Sequence, residues 1–499
     1  MDPTGRRPTM MDLYHLLLQS IIIPLAFSAA IPLLRDEAGE RAGWIALIPL
    51  AYSLGCLIVP SAIAYSFGEP VLASYAWGGP LGDAILLLDG VSCPIALTIA
   101  AASILVCVYS IGYMRGARSL GSYYALYLLF ASGMLGTVLS ANLALFFLFF
   151  ELMLIASWLL IAVWGSENRA RASLKYFIYT EAGALLLLAG IAMAYSTTGT
   201  LSVLELQARS AALARWELLL IASLMLVGLL VKMAIFPFHS WLPDAYVEAP
   251  MPLTAIFSTM TGIGGYAALR IFYTCFPQIL GERGLTITLS ILALVTIVYA
   301  GYLALAQTRL KRLLAYSSIS QMGYLLFGLS SASILGLAGA ILIYVAHSIA
   351  KALLFMVSGV FSKCIGTDDL GELGGIAGKL KVASTAFVIG FLSLMGFPPL
   401  LGFWGELYVF AGSIYGSISS SIDVPRLIIT MLVIIFAILT AGYGLWTIRR
   451  SLFGERSEMV EGAEPEPPIL LAPIAASMLL LIILGIQPSL ITMLLGALS

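Results

Sequence analysis

The chain has 499 residues, of which 61% are hydrophobic and only 10% are charged, and its net charge is −1. Soluble globular proteins carry roughly 25% charged residues, so this composition excludes a soluble globular fold and indicates an integral membrane protein. The near-zero net charge gives no electrostatic basis for binding nucleic acid. We therefore predict an all-α, polytopic membrane protein that lies almost entirely in the lipid bilayer.

Apolar runs of membrane-spanning length recur along the whole chain. A spanning helix needs about 20 apolar residues, and this criterion predicts about 14 spans. The runs at 333–362 and 381–418 exceed one straight span, so we expect them to be broken, tilted or continued outside the lipid. The first run follows Arg6 and Arg7, but its length and the many later runs favour a retained helix over a cleaved signal peptide. The predicted spans are 14–34, 43–66, 90–113, 120–140, 142–164, 172–197, 216–237, 251–275, 284–305, 311–330, 333–362, 381–418, 426–448 and 468–498.

Two polar segments and the basic residues predict the topology. Segment 68–89 is bounded by glycine and proline and is predicted as an outward loop or hairpin, and 455–468 as an acidic surface loop. When the N-terminus is placed outside, about 16 basic residues fall in inward loops and about 6 in outward segments. Because cytoplasmic loops are enriched in Lys and Arg, we predict that both termini lie outside the cytoplasmic membrane.

The cysteines give no sign of a metal or redox centre. No two of them form a Cys-x-x-Cys pair, so a disulfide framework, a zinc site or a cysteine-bound iron–sulfur cluster is not indicated. Phosphate-loop, haem and flavin motifs are also absent from the sequence, and we predict no cofactor and no metal. The five cysteines are Cys56, Cys93, Cys107, Cys275 and Cys364.

The first candidate site combines a charged residue with a helix break. Lys232 lies in an apolar run, about one turn before Pro237. A charged amine at mid-membrane costs about 2.5–3.5 kcal/mol on insertion scales, and a broken helix at that depth needs protein or water to satisfy its backbone groups. Since Pro237 lacks an N–H, the carbonyl of Met233 loses its helical partner and is available to order water. A simple kink is the alternative interpretation of the proline.

Three further residues are candidates for proton transfer. Glu151 is the only charged residue within 119–166. It is either a carboxylate that holds the helix bundle together or a proton acceptor that works with a nearby cation, for which Lys232 is the candidate. His347 and Lys351 lie four residues apart and share one face of a predicted helix. This pair predicts a titratable relay, although a lone buried histidine is usually structural.

Glu406 follows a second break, at which Pro398 and Pro399 interrupt the run 381–418. Similar broken helices in two halves of a membrane protein point to inverted repeats with sites near the midplane. We pair the segment Ile235-Phe236-Pro237 with Gly396-Phe397-Pro398. The predicted organisation is N-terminal helices (1–119), a first five-helix repeat (120–275), a second five-helix repeat (284–448), and a polar loop with a C-terminal helix (449–499).

Several polar residues admit two interpretations. His239, Asp244 and Glu248 follow the first break and form either an intake funnel for ions or anchors for the broken helix. Glu181 fits either transport or a salt bridge with Lys175 at the start of its helix. The three glycines of the segment TGIGGY resemble part of a nucleotide-binding pattern, but no strand precedes them and helix packing is the better interpretation.

Several motifs resemble those of one membrane-protein family. They are LDGVSCP at 88–94, YSIGYM at 109–114, VKMAIFPFHSWLPDAYVEAP at 231–250, LKRLLAYSSISQMGY at 310–324, AHSIAKALL at 346–354 and GFPPLLGFWGE at 396–406. With the Glu151 helix they cover nearly the whole chain and are similar to the antiporter-like subunits of respiratory complex I. The same family includes Mrp-type sodium/proton antiporter subunits and membrane-bound hydrogenase subunits. Length and Glu406 are most similar to the M-type complex I subunit or the D-type Mrp subunit.

The resemblance implies roles for the charged residues. Glu151 and Lys232 match the family's Glu–Lys pair. His347 and Lys351 match its central relay, and Glu406 matches its exit or transfer carboxylate.

The chain departs from the family pattern at two positions. Gly262 occupies the position of a lysine that is common in the M and D types, and Tyr246 replaces the usual histidine after Pro-Asp-Ala. The link between the two half-paths is then water alone or another residue such as Tyr246.

We predict a proton-translocating subunit of an NADH:quinone-oxidoreductase-type redox complex, with sodium as the alternative ion and no redox centre of its own. Opening of the Glu151–Lys232 pair would send the lysine proton along water toward His347 and Lys351, and then to Glu406. The predicted partners are other membrane subunits and the lipid bilayer. The alternatives are an Mrp-type Na+/H+ antiporter or membrane-bound hydrogenase subunit, and a non-conducting structural subunit.

Overall fold

The structure is a computed structural model that describes residues 10–34, 39–77, 79–418 and 422–495. Of the basic residues used to predict the topology, Arg6, Arg7 and Arg35 lie outside these ranges. The fold is 80% helical, as predicted. The elements in chain order are α1 (Met10–Ala30), α2 (Ala42–Phe67), β1 (Val71–Tyr75), β2 (Ala84–Leu88), α3 (Ser92–Tyr113), α4 (Leu120–Leu139), α5 (Leu143–Trp164), α6 (Arg169–Thr198), α7 (Val203–Ser210), α8 (Arg215–Lys232), α9 (Trp241–Glu248), α10 (Met251–Arg270), α11 (Arg283–Leu305), α12 (Leu310–Ser330), α13 (Ile334–Ile365), α14 (Lys381–Leu394), α15 (Leu401–Ile418), α16 (Val424–Phe436), α17 (Ile438–Leu452), α18 (Glu458–Glu461), α19 (Pro468–Ile486) and α20 (Ser489–Leu495).

Nine helices in the described part of the chain are long and apolar enough to cross a membrane. The helices α8, α10, α12 and α15 fall outside that criterion, and α14 is apolar but short. The predicted span 381–418 consists of two helices, α14 and α15, separated by a break, and α16 and α17, which meet at a kink, count together as one of the nine. The membrane-spanning, all-helical class is therefore confirmed, while the count of fourteen spans stays a prediction.

The predicted loop at 68–89 folds as a hairpin. Strands β1 and β2 pair antiparallel, with Val71 opposite Leu88 and Tyr75 opposite Ala84. Within the described residues, this two-stranded ribbon is the only β-sheet. Of the two overlong runs, 381–418 is broken as expected, whereas 333–362 folds as the single unbroken helix α13 of 32 residues.

Helix α13 forms the centre of the bundle. It packs against α3, α10, α12, α14, α15 and α19, and its most apolar 18-residue window is completely buried. An apolar helix that is surrounded on all sides buries any polar side chain it carries. The polar residues of α13 are therefore enclosed by protein.

The two helix breaks have the same backbone geometry. In each break three consecutive N–H groups donate back into the preceding turn, and the middle one belongs to a residue with positive φ, Ala234 (54°) in the first break and Gly396 (66°) in the second. The bonds are Met233 N to Leu229 O, Ala234 N to Val231 O and Ile235 N to Leu230 O, and likewise Met395 N to Phe391 O, Gly396 N to Ser393 O and Phe397 N to Leu392 O.

This geometry sets the correspondence between the breaks. The hydrogen bonds and positive φ values align Ala234 with Gly396, and Pro237 and Pro399 each lie three residues further on. Pro237 therefore corresponds to Pro399, and the pairing with Pro398 predicted from the sequence is wrong by one residue, because two adjacent prolines gave the sequence two possible registers. In the corrected register Asp244 corresponds to Glu406.

A second pair of contacts recurs in the two halves of the chain. The segment before α5 bonds to the segment after α6, with Leu143 N donating to Leu201 O and Val203 N to Ala141 O, both at 2.9 Å. The segment before α12 bonds in the same way to the segment after α13, with Leu310 N donating to Asp368 O and Leu370 N to Thr308 O. The helices α5–α6 and α12–α13 are thus joined by matching two-residue bridges.

Candidate functional site

Lys232 is the last residue of α8 and is only 2% exposed. Its Nζ lies 5.1 Å from the centroid of the Phe150 ring and 5.8 Å from that of the Tyr176 ring. Within the described ranges, Nζ has no hydrogen-bond partner. Aromatic ring faces and the partial negative charge at the C-terminal end of a helix both favour a cation at this place.

Glu151 lies beside Phe150 on α5 and interacts electrostatically with Lys232 and with Glu181 of α6. Its Oε1 is buried and has no hydrogen-bond partner in the described part of the chain. The same residue lines a cavity of about 760 Å³ between α5, α1 and the hairpin. Two carboxyl groups and one amine are thus close together, and the Glu151–Lys232 pair is open rather than hydrogen-bonded.

Side chains donate hydrogen bonds to backbone carbonyls at the two breaks. The indole Nε1 of Trp241 donates to Val231 O at 3.0 Å, one residue before Lys232. In the second break Gln321 Nε2 donates to Leu394 O at 3.2 Å. A helix can be interrupted at membrane depth only where such partners exist.

Asp244 anchors the second half of the first broken helix. Its carboxylate lies 2.7 Å from Lys175 Nζ and 3.8 Å from Arg312, which tie α9 to α6 and α12. Lys175 Nζ also donates to Ser240 O at 2.7 Å. Of the two interpretations of Glu181, the salt bridge with Lys175 is therefore excluded, because the lysine turns toward α9 instead.

Glu248 anchors the end of the same helix. Its carboxylate accepts from Ser166 Oγ at 2.6 Å and from Asn168 N at 3.0 Å, in the turn between α5 and α6. Lys311 Nζ donates to Val247 O at 2.9 Å and to Ala249 O at 2.6 Å, which caps the C-terminal end of α9. The sequence analysis missed Lys311, because a lysine next to a loop is usually solvated and nothing local indicates its burial.

His239 lies in the break itself. Its ring stacks on Phe236 at 5.7 Å and meets Tyr299 edge-on at 5.0 Å. Nδ1 is buried and unpaired within the described structure. Of the three residues that admitted two interpretations, Asp244 and Glu248 have the contacts of anchors, and His239 has not.

Helix α10 brings the two unusual positions of the sequence together. A Cβ added to Gly262 would lie 2.5 Å from Cδ2 of Tyr344, so the tyrosine of α13 fills the space beside this glycine. The neighbouring Thr261 Oγ1 lies 2.7 Å from Tyr246 Oη. A Cβ added to Gly264 would lie 2.9 Å from Cγ of Met233, and the glycines of this segment serve helix packing as predicted.

His347 and Lys351 lie one turn apart on α13 and are 1% and 0% exposed. Lys351 Nζ donates to Leu314 O at 2.8 Å and to the hydroxyl of Ser317, both on α12. Neither ring nitrogen of His347 has a hydrogen-bond partner in the described ranges. The imidazole and the amine share one helix face, as their spacing predicts, and interact electrostatically.

Glu406 of α15 lies against the second break, where a Cβ added to Gly396 would collide with its Oε2. Its carboxyl interacts with the hydroxyl of Tyr443 on α17. Tyr443 in turn faces Ser317, the hydroxyl that accepts from Lys351. Tyr443 therefore lies near both Ser317 and Glu406, and its buried Oη has no hydrogen-bond partner in the described structure.

The structure also contains a buried ion pair to which the sequence analysis assigned no role. Arg270, at the end of α10, binds both oxygens of Asp89 at 2.6 Å, and the two side chains are 6% and 15% exposed. Asp89 also accepts from the N–H groups of Val91 and Ser92 and caps α3. Two signals were present in the sequence, a lone arginine in an apolar run and an Asp-Gly pair before a span. Because they are far apart in the sequence, nothing local indicated that they pair.

Fold and site together define a polytopic membrane protein whose interior carries protonatable groups at two helix breaks. Residues 140–433 match the family described as NADH:quinone oxidoreductase/Mrp antiporter, TM. Residues 83–124 match NADH-Ubiquinone oxidoreductase (complex I), chain 5 N-terminus. The chain belongs to the NADH:quinone oxidoreductase/Mrp antiporter family.

Similar proteins come from several kinds of complex. F(420)H(2) dehydrogenase subunit M of Methanosarcina mazei is 32% identical over 81% of this chain and 80% of its own length. NAD(P)H-quinone oxidoreductase chain 4 1 of Nostoc sp. is 33% identical over 95% of this chain and 88% of its own. The structure of the Mrp complex from Dietzia sp. DQ12-45-1b contains a chain with the same fold, at a TM-score of 0.86 and 23% identity over 97% of this chain and 96% of that one. The predicted resemblance and fold class are confirmed, and the chain is an antiporter-like, multi-pass membrane subunit.

Proposed function

We propose that this subunit translocates protons across the cytoplasmic membrane as part of a redox complex of the NADH:quinone oxidoreductase type. The observation that carries the proposal is the line of buried and half-buried protonatable residues at and between the two helix breaks. Sodium is the alternative ion. The residues of this line are Glu151, Lys232, His347, Lys351 and Glu406.

Several atoms of this line have no fixed partner. Lys232 Nζ, Glu151 Oε1 and both nitrogens of His347 are buried without a hydrogen bond in the described structure. Buried polar atoms normally find partners, since leaving one unpaired costs about 1–3 kcal/mol. Ionisable residues inside a membrane protein are by default candidates for ion pathways. Atoms that accept and release protons in turn need to be free of permanent hydrogen bonds, which is a physical reason for these atoms to be unpaired.

The proposed mechanism starts at the open Glu151–Lys232 pair. When the carboxylate is close, it stabilises the protonated amine, and when it turns away the amine loses that compensation and releases its proton. The proton then passes to His347 and Lys351. The bond from Lys351 to Ser317, and the unpaired hydroxyl of Tyr443 near Ser317 and Glu406, support onward transfer to Glu406.

The matching breaks and bridges support two inverted repeats. We place them at 120–275 and 284–448, with 1–119 before and 449–499 after them, fourteen spans in all and both termini outside. In this arrangement Asp244 and Glu406 hold equivalent places in oppositely oriented repeats. That equivalence supports a second role for Asp244 near the intake side, besides its salt bridge with Lys175.

Purification of the assembled complex through a tag on this chain tests the proposal. Co-purifying subunits with iron–sulfur clusters, and acidification of liposomes on addition of the electron donor, are expected. The similarity to a chain of an Mrp complex favours a second candidate, an antiporter driven by an ion gradient alone. Isolation of a complex without redox subunits would establish that candidate and contradict ours.

A non-conducting structural subunit is the third candidate. Its specific support is Gly262, at which the space for a side chain is filled by Tyr344. Joint neutralisation of the four charged residues decides between a proton-translocating subunit and a structural one. These residues are Glu151, Lys232, Lys351 and Glu406. Unchanged translocation by the assembled complex would establish scaffolding, and loss of translocation with assembly intact would exclude it.

A further inference from the structure

A pair of buried hydroxyls lies where the surroundings of Lys232 meet helix α13, which carries His347 and Lys351. Tyr246 Oη and Thr261 Oγ1 are 2.7 Å apart, either atom can be the donor, and both residues are completely buried. We propose that this pair relays protons between Lys232 and Lys351. The proposal rests on the proposed function and assigns its central step to named groups.

On the first side, Tyr246 adjoins the surroundings of Lys232. The Tyr176 ring, 5.8 Å from Lys232 Nζ, packs against Phe257 at 5.9 Å, and the Tyr246 ring packs against the same Phe257 at 5.7 Å. The hydroxyls of Tyr176 and Tyr246 also interact electrostatically. Only the Phe257 ring therefore separates Tyr246 from Tyr176, one of the two rings next to the Lys232 amine.

On the second side, the pair adjoins helix α13. The Tyr246 ring meets that of Phe355 at 5.5 Å, and Phe355 lies one turn after Lys351 on the same helix face. One turn before Thr261 on α10, Ser258 Oγ lies 3.4 Å from Ser348 O. The pair thus stands where α9, α10 and α13 meet, and its ring contacts reach residues next to each of the two lysines.

In the structure, the hydrogen bonds allow Tyr246 to donate to Thr261, and the roles of donor and acceptor in this pair can be exchanged. Thr261 Oγ1 donates to Phe257 O at 2.9 Å, which leaves its lone pairs free to accept from Tyr246. When a water on the Lys232 side gives a proton to Tyr246 Oη, the proton binds a lone pair while the original proton of Tyr246 moves to Thr261. The Thr261 hydroxyl then turns away from Phe257 O and gives its own proton to a water on the α13 side, which carries it to Lys351. Each oxygen gains one proton and loses one, so both hydroxyls are restored and no net charge stays behind.

The alternative is that the hydrogen bond only fastens α9 to α10, and single-atom variants separate the two roles. Tyr246→Phe removes the hydroxyl and keeps the ring contacts with Phe257 and Phe355. Thr261→Val keeps the shape of threonine, and Thr261→Ser keeps its hydroxyl. Tyr127→Phe is the matched control, because Tyr127 Oη is equally buried and donates to Ser103 O at 2.8 Å, away from both lysines.

The measurement is the number of protons translocated per electron by the purified complex in liposomes, with Lys232→Ala as the reference for loss. We expect Tyr246→Phe and Thr261→Val to fall to the Lys232→Ala value. Thr261→Ser should recover what Thr261→Val loses, and Tyr127→Phe should match wild type.

Three results would overturn the relay. A wild-type ratio in Tyr246→Phe or Thr261→Val, beside a loss in Lys232→Ala, would remove the relay and leave the proposed function standing. An equal loss in Thr261→Ser and Thr261→Val would show that the methyl packing matters and the hydroxyl does not. A wild-type ratio in Lys232→Ala would overturn the proposed function itself, and the relay with it.

Discussion

Gly262 is so close to Tyr344 that one added methyl group should destabilise the subunit. The new Cβ would lie 2.5 Å from Cδ2 and 2.6 Å from Cε2 of the ring, whereas carbon atoms pack at about 3.5–4.0 Å. The ring would have to move by about 1 Å to restore that spacing, which strains the bond from Tyr344 Oη to Thr259 O at 3.1 Å. Overpacking costs about 1–3 kcal/mol and a lost hydrogen bond about 0.5–1.5 kcal/mol. We therefore expect Gly262→Ala to lower the free energy of unfolding by about 2–4 kcal/mol.

Denaturant unfolding in mixed micelles measures this change, with Gly284→Ala as the matched control. Gly284 lies near the start of α11 with open space around it, and alanine is the better helix former by about 1 kcal/mol. The control should therefore be neutral or slightly stabilising. In a Tyr344→Ala background the penalty of Gly262→Ala should largely disappear, since the colliding ring is absent. Equal stabilities for Gly262→Ala and Gly284→Ala would refute the packing argument.

Two further predictions concern charged residues near the ends of the helices. Asp89→Asn leaves the buried guanidinium of Arg270 without its counter-charge and should lower the free energy of unfolding by about 3–5 kcal/mol, while Asp89→Asn combined with Arg270→Gln should cost less than the two single changes together. Hydrogen bonds from Arg283, at 3.0 Å, hold the pKa of Asp423 below its ordinary value of 3.8. The stabilisation from this pair is therefore complete above pH 3.8 and is lost as the pH falls through the lower folded-state pKa. Thermal denaturation of wild type should lose this contribution only under acid conditions, and Asp423→Asn should lack it at every pH. Wild-type stability in Asp89→Asn, or an unchanged acid profile in Asp423→Asn, would contradict these two accounts.

Much of the fold followed from local patterns. Apolar length predicted where helices α2 to α6 and α11 to α13 lie, because a bilayer requires each span to be long and apolar. Proline inside such a run predicted both breaks, since proline removes a backbone donor wherever it occurs. The hairpin at 71–88 followed from glycine and proline at its borders. These properties belong to single segments and need no knowledge of neighbouring helices.

The contacts of the site were beyond such patterns. The pairing of Lys175 with Asp244 in place of Glu181, and the burial of Lys311 against the end of α9, depend on which helices become neighbours. The glycine at 262 could be noticed in the sequence, but only the packed structure shows that Tyr344 occupies the space beside it. Such contacts form between residues far apart in the sequence, so local sequence patterns do not reveal them.

Proton translocation through the line that begins at Lys232 is tested most sharply by one number, the ratio of protons translocated to electrons transferred in Lys232→Ala. The assembled complex is purified, placed in liposomes and supplied with its electron donor, and Lys363→Ala serves as the control because Lys363 is exposed and bonds to Gly112 O at 3.1 Å, away from the buried line. We expect a lower ratio in Lys232→Ala with electron transfer and assembly retained, and a wild-type ratio in Lys363→Ala. An unchanged ratio in a fully assembled Lys232→Ala complex would contradict it.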